Sequence, residues 1–323
     1  MLVASPDTFT ETLVDSLEKL ETLRGSRALL FACQDRPPFP KSFDDSDLAV
    51  LYDCLNTLGK VERLDLVLHS AGGKVTVTRR LYTLLRQYAQ ELTVFVPHKA
   101  RSSATLLCLG ANEIVMTPLS ELGPLDPHIS AASSGQGPAV LSAEDIRAYR
   151  AVAEEWFGIT TEAHRMELFK GLSERIFPTT LSNFYRADKQ MWQFACEFLT
   201  SQLPRATQAQ REAVADKLVS GYFEHDYPIM LDEAAALGLE ARASTTEEEP
   251  LLSALRKGYT EAFKAEVGEV GVPGGSREEH TNGLLVGTTF AARHLLTLER
   301  APPAPAPGMT VTQHMSGSWQ PLA

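Results

Sequence analysis

The stretch LDLVLHSAGG (residues 64–73) decides the fold, because an apolar run leads directly into a glycine pair. The run predicts a buried strand, and the glycines leave backbone N–H groups free and let a ligand approach closely. A second stretch, LTVFVPHKARSSA (residues 92–104), places serines after another predicted strand. Open α/β sheets bind ligands outside the carboxyl ends of their strands. The two stretches therefore predict an oxyanion-binding backbone and a hydroxyl nucleophile in one crevice.

Strands and helices alternate around these two stretches, which predicts an α/β fold with a largely parallel, helix-covered sheet. The apolar spacing then favours helices over most of residues 142–202, with a break near Pro178. We predict an N-terminal helix, a central α/β domain, a C-terminal helical extension, and a disordered tail rich in proline, glycine and serine. The predicted bounds are 1–26, 27–245, 246–300 and 301–323 respectively.

Composition narrows the classes of function. The 323 residues carry a formal net charge of −11, which argues against a nucleic-acid partner. No apolar run approaches the ~20 residues that span a bilayer, and the first ten residues do not read as a signal peptide. The four cysteines show no metal-type pairing, so we expect buried thiols and a cytoplasmic location. No phosphate loop, dinucleotide fingerprint or metal spacing is present, so we expect no cofactor and no metal.

Several motifs occur together in a characteristic order. They are LVLHSAGG (66–73), VFVP (94–97) with ARSSAT (100–105), ANEIVM (111–116), SELGPLDP (120–127), and HDYPI (225–229) before EA (233–234) and LGL (237–239). On these motifs the span 27–239 resembles the serine dehydrogenase proteinase family, within the Clp/crotonase superfamily of serine peptidases. The resemblance implies a spiral of ββα units with an added helical region, and a serine peptidase activity.

The resemblance assigns the nucleophile and the oxyanion hole. Ser102 takes the nucleophile position, with Ser103 as the alternative, and the backbone N–H groups of Gly73 and Ser103 form the oxyanion hole. The sequence departs from the family at two places. Ala104 stands where a glycine is usual, and Ala71 stands where a proline is usual. From local pattern alone, Ser102 also fits a helix N-cap, a role compatible with catalysis.

Two histidines are candidates for the base. A serine hydroxyl needs a neighbouring proton acceptor, most often a histidine oriented by a carboxylate. The family order of serine, aspartate and histidine implies Ser102, Asp126 and His225. The Clp proteolytic subunit exchanges the last two roles in space, which leaves His128 as an alternative base with Asp226 as its orienting carboxylate.

Two other residues near the predicted site have structural interpretations. His69 ends the strand before the glycine pair, and its context favours a structural hydrogen bond over a role as base. Arg101 precedes the nucleophile and is expected to be a solvated charge rather than a substrate clamp.

The sequence thus predicts a cytoplasmic serine endopeptidase that acts on peptides or proteins without a cofactor. A non-catalytic scaffold of the same fold and a crotonase-like acyl-CoA enzyme remain alternatives. We expect a homo-oligomer, since residues 142–202 carry more large apolar side chains than one thin helical layer buries. A membrane partner is not expected, and an unfoldase or regulatory partner is left open. The apolar side chains are those of Trp156, Phe157, Phe184, Met191, Trp192 and Phe194.

Overall fold

A computed structural model describes residues 6–132, 138–264, 266–272, 275–300 and 313–322. The helices are α1 (Pro6–Arg24), α2 (Ser46–Leu58), α3 (Val75–Tyr88), α4 (Ser103–Cys108), α5 (Ala143–Phe157), α6 (Glu162–Arg175), α7 (Pro178–Gln202), α8 (Gln208–Ser220), α9 (Leu231–Ala236) and α10 (Glu248–Lys264). The strands are β1 (Arg27–Cys33), β2 (Val61–His69), β3 (Ala89–Val96), β4 (Lys99–Ala100), β5 (Glu113–Met116), β6 (Glu121–Leu122), β7 (His128–Ala132), β8 (Pro138–Ser142), β9 (Ala241–Ala243), β10 (Glu266–Val272), β11 (Gly275–Gly287), β12 (Ala291–Arg300) and β13 (Gln313–Pro321).

The main sheet is parallel through its centre. Strands β1, β2, β3, β5 and β9 pair in that order, and the helices α2, α3 and α4 make the crossovers between the first four. This is the alternation that the apolar runs predicted, so the α/β class is confirmed. On the other side of β1 the sheet continues antiparallel through β11, β12 and β13.

Helices cover both faces of the sheet, and successive strand side chains point alternately to one face and the other. On one face Leu29 and Phe31 of β1 pack with α2, α3, α4, α7 and α8. On the other face Ala28 and Leu30 pack against α1 and α10. Two helical layers therefore hold the carboxyl ends of the parallel strands in fixed positions.

A small second layer lies beyond those strand ends. Strands β4 and β6 pair in parallel, and Ser70 forms a bridge with Ala100. Each turn of the chain thus adds one strand to the main sheet and a short strand beyond it, which is the expected spiral of ββα units. The added helical region is also present as α5 to α7, with the predicted break at Pro178.

The C-terminal predictions require two corrections. The extension 246–300 is helical only in α10, and its remainder forms strands because β11 completes the hydrogen bonding of β1. The tail predicted to be disordered contains β13, which pairs with β12 and is fixed by a hydrogen bond from Trp319 to Asp47. Residues 1–5 and 301–312 of these predictions lie outside the described residues. Among the described helices, none combines the length and apolar character needed to cross a bilayer.

Candidate active site

Backbone hydrogen bonds join the two motif loops directly. The N–H of Ser70 donates to Lys99 O at 3.0 Å, and the N–H of Arg101 donates to Ser70 O at 3.1 Å. A Cβ at Gly72 would lie 2.9 Å from Ser103 N and 2.8 Å from Arg101 O, so only glycine permits this approach. The loops therefore form one rigid unit at the carboxyl ends of β2 and β3.

Ser102 is held in an unusual backbone conformation. Its φ of 51° is the only positive φ among the described non-glycine residues. It stands immediately before α4, and its side chain makes no capping hydrogen bond with that helix. Ser102 thus occupies the N-cap position, but the prediction that its hydroxyl caps the helix is wrong. Strained residues of this kind concentrate at functional sites, where a sharp strand-to-helix turn exposes the nucleophile.

The Gly73 amide is directed away from Phe43 by strand pairing. Phe43 pairs in parallel with Gly73, its N–H donating to Gly72 O at 2.8 Å and its carbonyl accepting from Lys74 N at 2.9 Å. Since the neighbours of Gly73 carry these bonds, its own N–H points to the other side. Within the described residues, neither this N–H nor that of Ser103 has a hydrogen-bond acceptor. Two free donors at one place are what an oxyanion hole requires.

The two departures from the family fit this geometry. Ala104 lies in the first turn of α4 with ordinary helical φ, so its methyl group needs no special backbone conformation. Its side chain is buried, whereas Ala71 lies at the wall of the cavity that contains Ser102. The side chain of Ser103 is fully buried, which favours Ser102 over Ser103 as the nucleophile.

His225 lies on the loop between α8 and α9, and this loop is fixed at several points. Arg101 Nη1 lies 2.9 Å from Asp226 Oδ1, which ties the loop to the residue next to Ser102. Ile229 pairs with Leu122 through two backbone hydrogen bonds of 3.0 Å. The prediction of Arg101 as a merely solvated charge is therefore wrong. Asp226, which was considered as the carboxylate that orients His128, thus forms an ion pair with Arg101.

Asp126 lies buried in the loop after β6, and its side chain contacts the first turn of α5. Its Oδ1 accepts a hydrogen bond of 3.2 Å from the N–H of Glu144, in the first turn of the helix, and lies 3.9 Å from Arg147 Nη2. A helix N-terminus and a guanidinium both favour the ionised carboxylate. The next residue, Pro127, lines the cavity with His225, so Asp126 lies one residue from the cavity wall along the chain.

The remaining histidines differ in what the structure shows of them. His128 begins β7 and pairs with Ser142, but its side chain lies outside the described residues. His69 is buried, stacks on Tyr259 at 4.8 Å, and its Nε2 lies 3.7 Å from Asp35 Oδ1. This interaction with His69 holds the pKa of Asp35 well below its usual range. His69 is thus held by ring stacking and by its contact with Asp35, and the predicted structural hydrogen bond stays a prediction.

One cavity of about 890 Å³ brings the predicted groups together. Ser102, Gly73 and His225 all line it, together with Met191 of α7 and Val75 of α3. A hydroxyl, a backbone amide and an imidazole therefore border the same cavity. In the described part of the chain, no three His, Cys, Asp or Glu side chains cluster so as to hold a metal ion.

A serine at positive φ thus stands before a short helix, close to amide donors that have no acceptor among the described residues. Residues 42–149 match the family described as ClpP-like SDH-type serine proteinase, which confirms the resemblance drawn from the motifs. The matched segment contains Gly73, Ser102 and Asp126, whereas His225 lies beyond it. The family match supports a serine peptidase.

Two uncharacterized proteins of Methanocaldococcus jannaschii are similar in sequence. MJ1495 is 29% identical over 181 residues, which cover 56% of this chain and 52% of that protein. MJ0137 is 26% identical over 220 residues, which cover 68% of each chain. The chain therefore spans about half the length of the first relative and about two thirds of the second.

Two solved structures of mutants of the 1510-N membrane-bound stomatin-specific protease are also similar. The first has a TM-score of 0.36 and 12% identity, and covers 67% of this chain and 79% of its own. The second, in complex with a substrate peptide, has a TM-score of 0.38 and 14% identity, and covers 67% and 74%.

Proposed function

We propose that the protein is a cytoplasmic serine endopeptidase that cleaves peptide bonds through an acyl-enzyme on Ser102. One observation carries the proposal. A serine at positive φ, an amide with no acceptor among the described residues and a histidine line the same cavity, although they come from three separate loops. Acyl transfer needs these three groups at one reacting carbonyl.

Each step of the reaction has a group to perform it. The imidazole of His225 takes the Ser102 proton as Oγ bonds to the substrate carbonyl carbon, and the N–H groups of Gly73 and Ser103 bind the resulting oxyanion. Collapse of this intermediate breaks the C–N bond, and the imidazolium gives its proton to the leaving amine. A water molecule then attacks the ester in the same way and frees Ser102. No cofactor takes part.

Asp126 is the group that orients the base in this proposal. In this role a carboxylate selects the imidazole tautomer with a proton acceptor facing Ser102 and stabilises the imidazolium that forms. The burial of Asp126, its hydrogen bond from α5 and the place of Pro127 in the cavity lining support this role. His128 remains the alternative base.

We also propose that the protein acts as a homo-oligomer on peptide or protein substrates. Phe184 and Met191 are buried within the chain, so they do not require a partner. Trp156 and Phe157 at the end of α5 are 77% and 70% exposed, and Phe169 of α6 is 57% exposed. Exposed apolar patches of this kind are typical of interaction surfaces. Light scattering that reports a 35.4 kDa monomer at micromolar concentration would refute this part of the proposal.

The test is covalent labelling with a small fluorophosphonate together with hydrolysis of denatured casein. The wild type should be labelled and should hydrolyse casein, and Ser102→Ala should do neither while retaining its melting temperature. Ser103→Ala is the matched control and should still be labelled, because only its amide takes part. An unlabelled wild type would favour the non-catalytic scaffold instead. Labelling lost only in Ser103→Ala would move the nucleophile by one residue.

A further inference from the structure

The C-terminal strands form one wall of the cavity that contains Ser102. Asn282 of β11, His294 and Leu296 of β12, and Gly317 of β13 all line it. His294 and Leu296 are two residues apart, so both point to the same face of the strand. This wall lies outside the segment that matches the family, which ends at residue 149.

His294 is held in one tautomer by its neighbours. Its Nδ1 lies 2.6 Å from Asn282 Oδ1, and Asn282 Nδ2 donates to Phe39 O at 3.4 Å, which sets the orientation of the amide. A carbonyl oxygen only accepts, so the proton of a neutral His294 ring is on Nδ1. The other ring nitrogen, Nε2, is therefore a hydrogen-bond acceptor.

The surroundings also keep this ring neutral. His294 is 6% exposed, and burial together with the nearby Lys41 ammonium lowers its pKa to about 4. The negative charge of Asp44 acts in the opposite direction, but Lys41 already pairs with Asp44 Oδ2 at 3.2 Å and with Asp47 Oδ1 at 2.7 Å. At neutral pH the ring accepts a hydrogen bond and carries no charge.

Strand β13 fixes the orientation of the ring. A Cβ at Gly317 would lie 2.4 Å from His294 Cε1, so the strand contacts the ring closely only because a glycine is there. Trp319 meets the ring edge-on at 5.5 Å and is anchored through Nε1 to Asp47 Oδ1 at 2.9 Å. An acceptor fixed in this way is preorganised for binding.

We infer that His294 is a specificity-determining residue, which accepts a hydrogen bond from an uncharged donor on the substrate some residues away from the scissile bond. This inference rests on the proposed function, since it concerns the substrate held for attack by Ser102. Phe43 and Lys41 line the same cavity as Gly73 and His294, so a peptide that extends from Ser102 along this wall would reach His294. A substrate carboxylate there would face an acceptor.

The experiment measures how fast Ser102 is labelled by peptidyl diphenylphosphonates. In a set of acylated tetrapeptide probes, each position away from the phosphonate carries in turn Asn, its near-isostere Leu, or Asp. At one position the wild type should react about 3- to 10-fold faster with Asn than with Leu or Asp, the range expected for one neutral hydrogen bond. His294→Phe should reduce this ratio to about one, and His294→Gln, which keeps an acceptor, should retain part of it.

Controls separate the failure of this inference from the failure of the proposed function. Met315→Ser, a change at an exposed residue of β13, should leave every rate ratio unchanged. If a small fluorophosphonate fails to label the wild type, the proposed function fails. If that reagent labels Ser102, the inference is overturned by three results: no Asn preference at any position, a preference that survives in His294→Phe, or no reaction with any peptidyl probe.

Discussion

Replacement of Gly73 by alanine should remove the oxyanion hole by forcing two backbones apart. The added Cβ would lie 2.2 Å from Phe43 N and 2.5 Å from Phe43 O, whereas ordinary contacts begin at 3.4 Å. Relief of this clash requires the strand at Gly73 to move by about 1 Å, and a misplacement of that size costs on the order of 10²-fold in rate. Loss of one oxyanion donor costs roughly 10²–10³. We expect the rate of fluorophosphonate labelling to fall by about 10²–10³-fold.

Gly25→Ala is the matched control for backbone strain. Gly25 has a φ of +60° with nothing within 4 Å of an added Cβ. It therefore carries the ordinary cost of a left-handed alanine, about 1–2 kcal/mol, without a clash at the site. The labelling rate of both variants is measured well below their melting temperatures. The control Gly25→Ala should be labelled at the wild-type rate. A folded Gly73→Ala variant that is labelled within about tenfold of the wild-type rate would refute the assignment of this amide.

Three further predictions concern the base, the loop that carries it and the buried ring of the C-terminal wall. His225→Ala should lower casein hydrolysis far more than His128→Ala, toward the residual rate that binding and the oxyanion hole alone supply; the reverse ranking in an initial-rate assay would support the Clp-like arrangement. Asp226→Asn breaks the ion pair to Arg101 but leaves the pair of Arg101 with Glu121, so it should lower kcat/KM while the melting temperature stays close to wild type; an unchanged kcat/KM would show that the pair does not position the loop. The pKa of His294 is about 4 in the folded state and about 6.5 in an unfolded chain. Between these pH values the unfolded state therefore binds more protons than the folded state. The free energy of unfolding should consequently fall by at most about 3 kcal/mol as the pH drops from 6.5 to 4. Urea unfolding should show this decrease in the wild type and less of it in His294→Phe; equal decreases would contradict the assignment.

The central sheet could be predicted because its signals are local. The observed strand Arg27–Cys33 is apolar after Arg27, because burial on both faces leaves no polar position in the rest of it. The C-terminal strands could not be predicted in the same way. β13 is stabilised by the contact of Trp319 with Asp47, and 272 residues separate the two. Composition describes only the neighbourhood of a residue, so this segment resembled a disordered tail.

In the candidate site, too, the residues with local sequence signals could be predicted and those positioned by distant contacts could not. Ser102 and Gly73 could be located from sequence because each follows a strand of a predictable sheet. The loop of His225 is positioned by Arg101 and by the pairing of Ile229 with Leu122, which are contacts between distant segments. The contribution of His294 was missed because its strand was not predicted. The available signal was the two-residue spacing of His294 and Leu296 on either side of Leu295, which is typical of a strand.

Peptide mapping of the labelled protein by mass spectrometry tests the central claim most directly. After reaction of the wild type with a fluorophosphonate, proteolysis and fragmentation locate the phosphonyl group on a single side chain. We predict one adduct, on Ser102, and none in a sample unfolded before reaction, because the activation depends on the folded arrangement of Gly73 and His225. An adduct on another residue, or labelling that persists after unfolding, would contradict the assignment of Ser102 as the nucleophile.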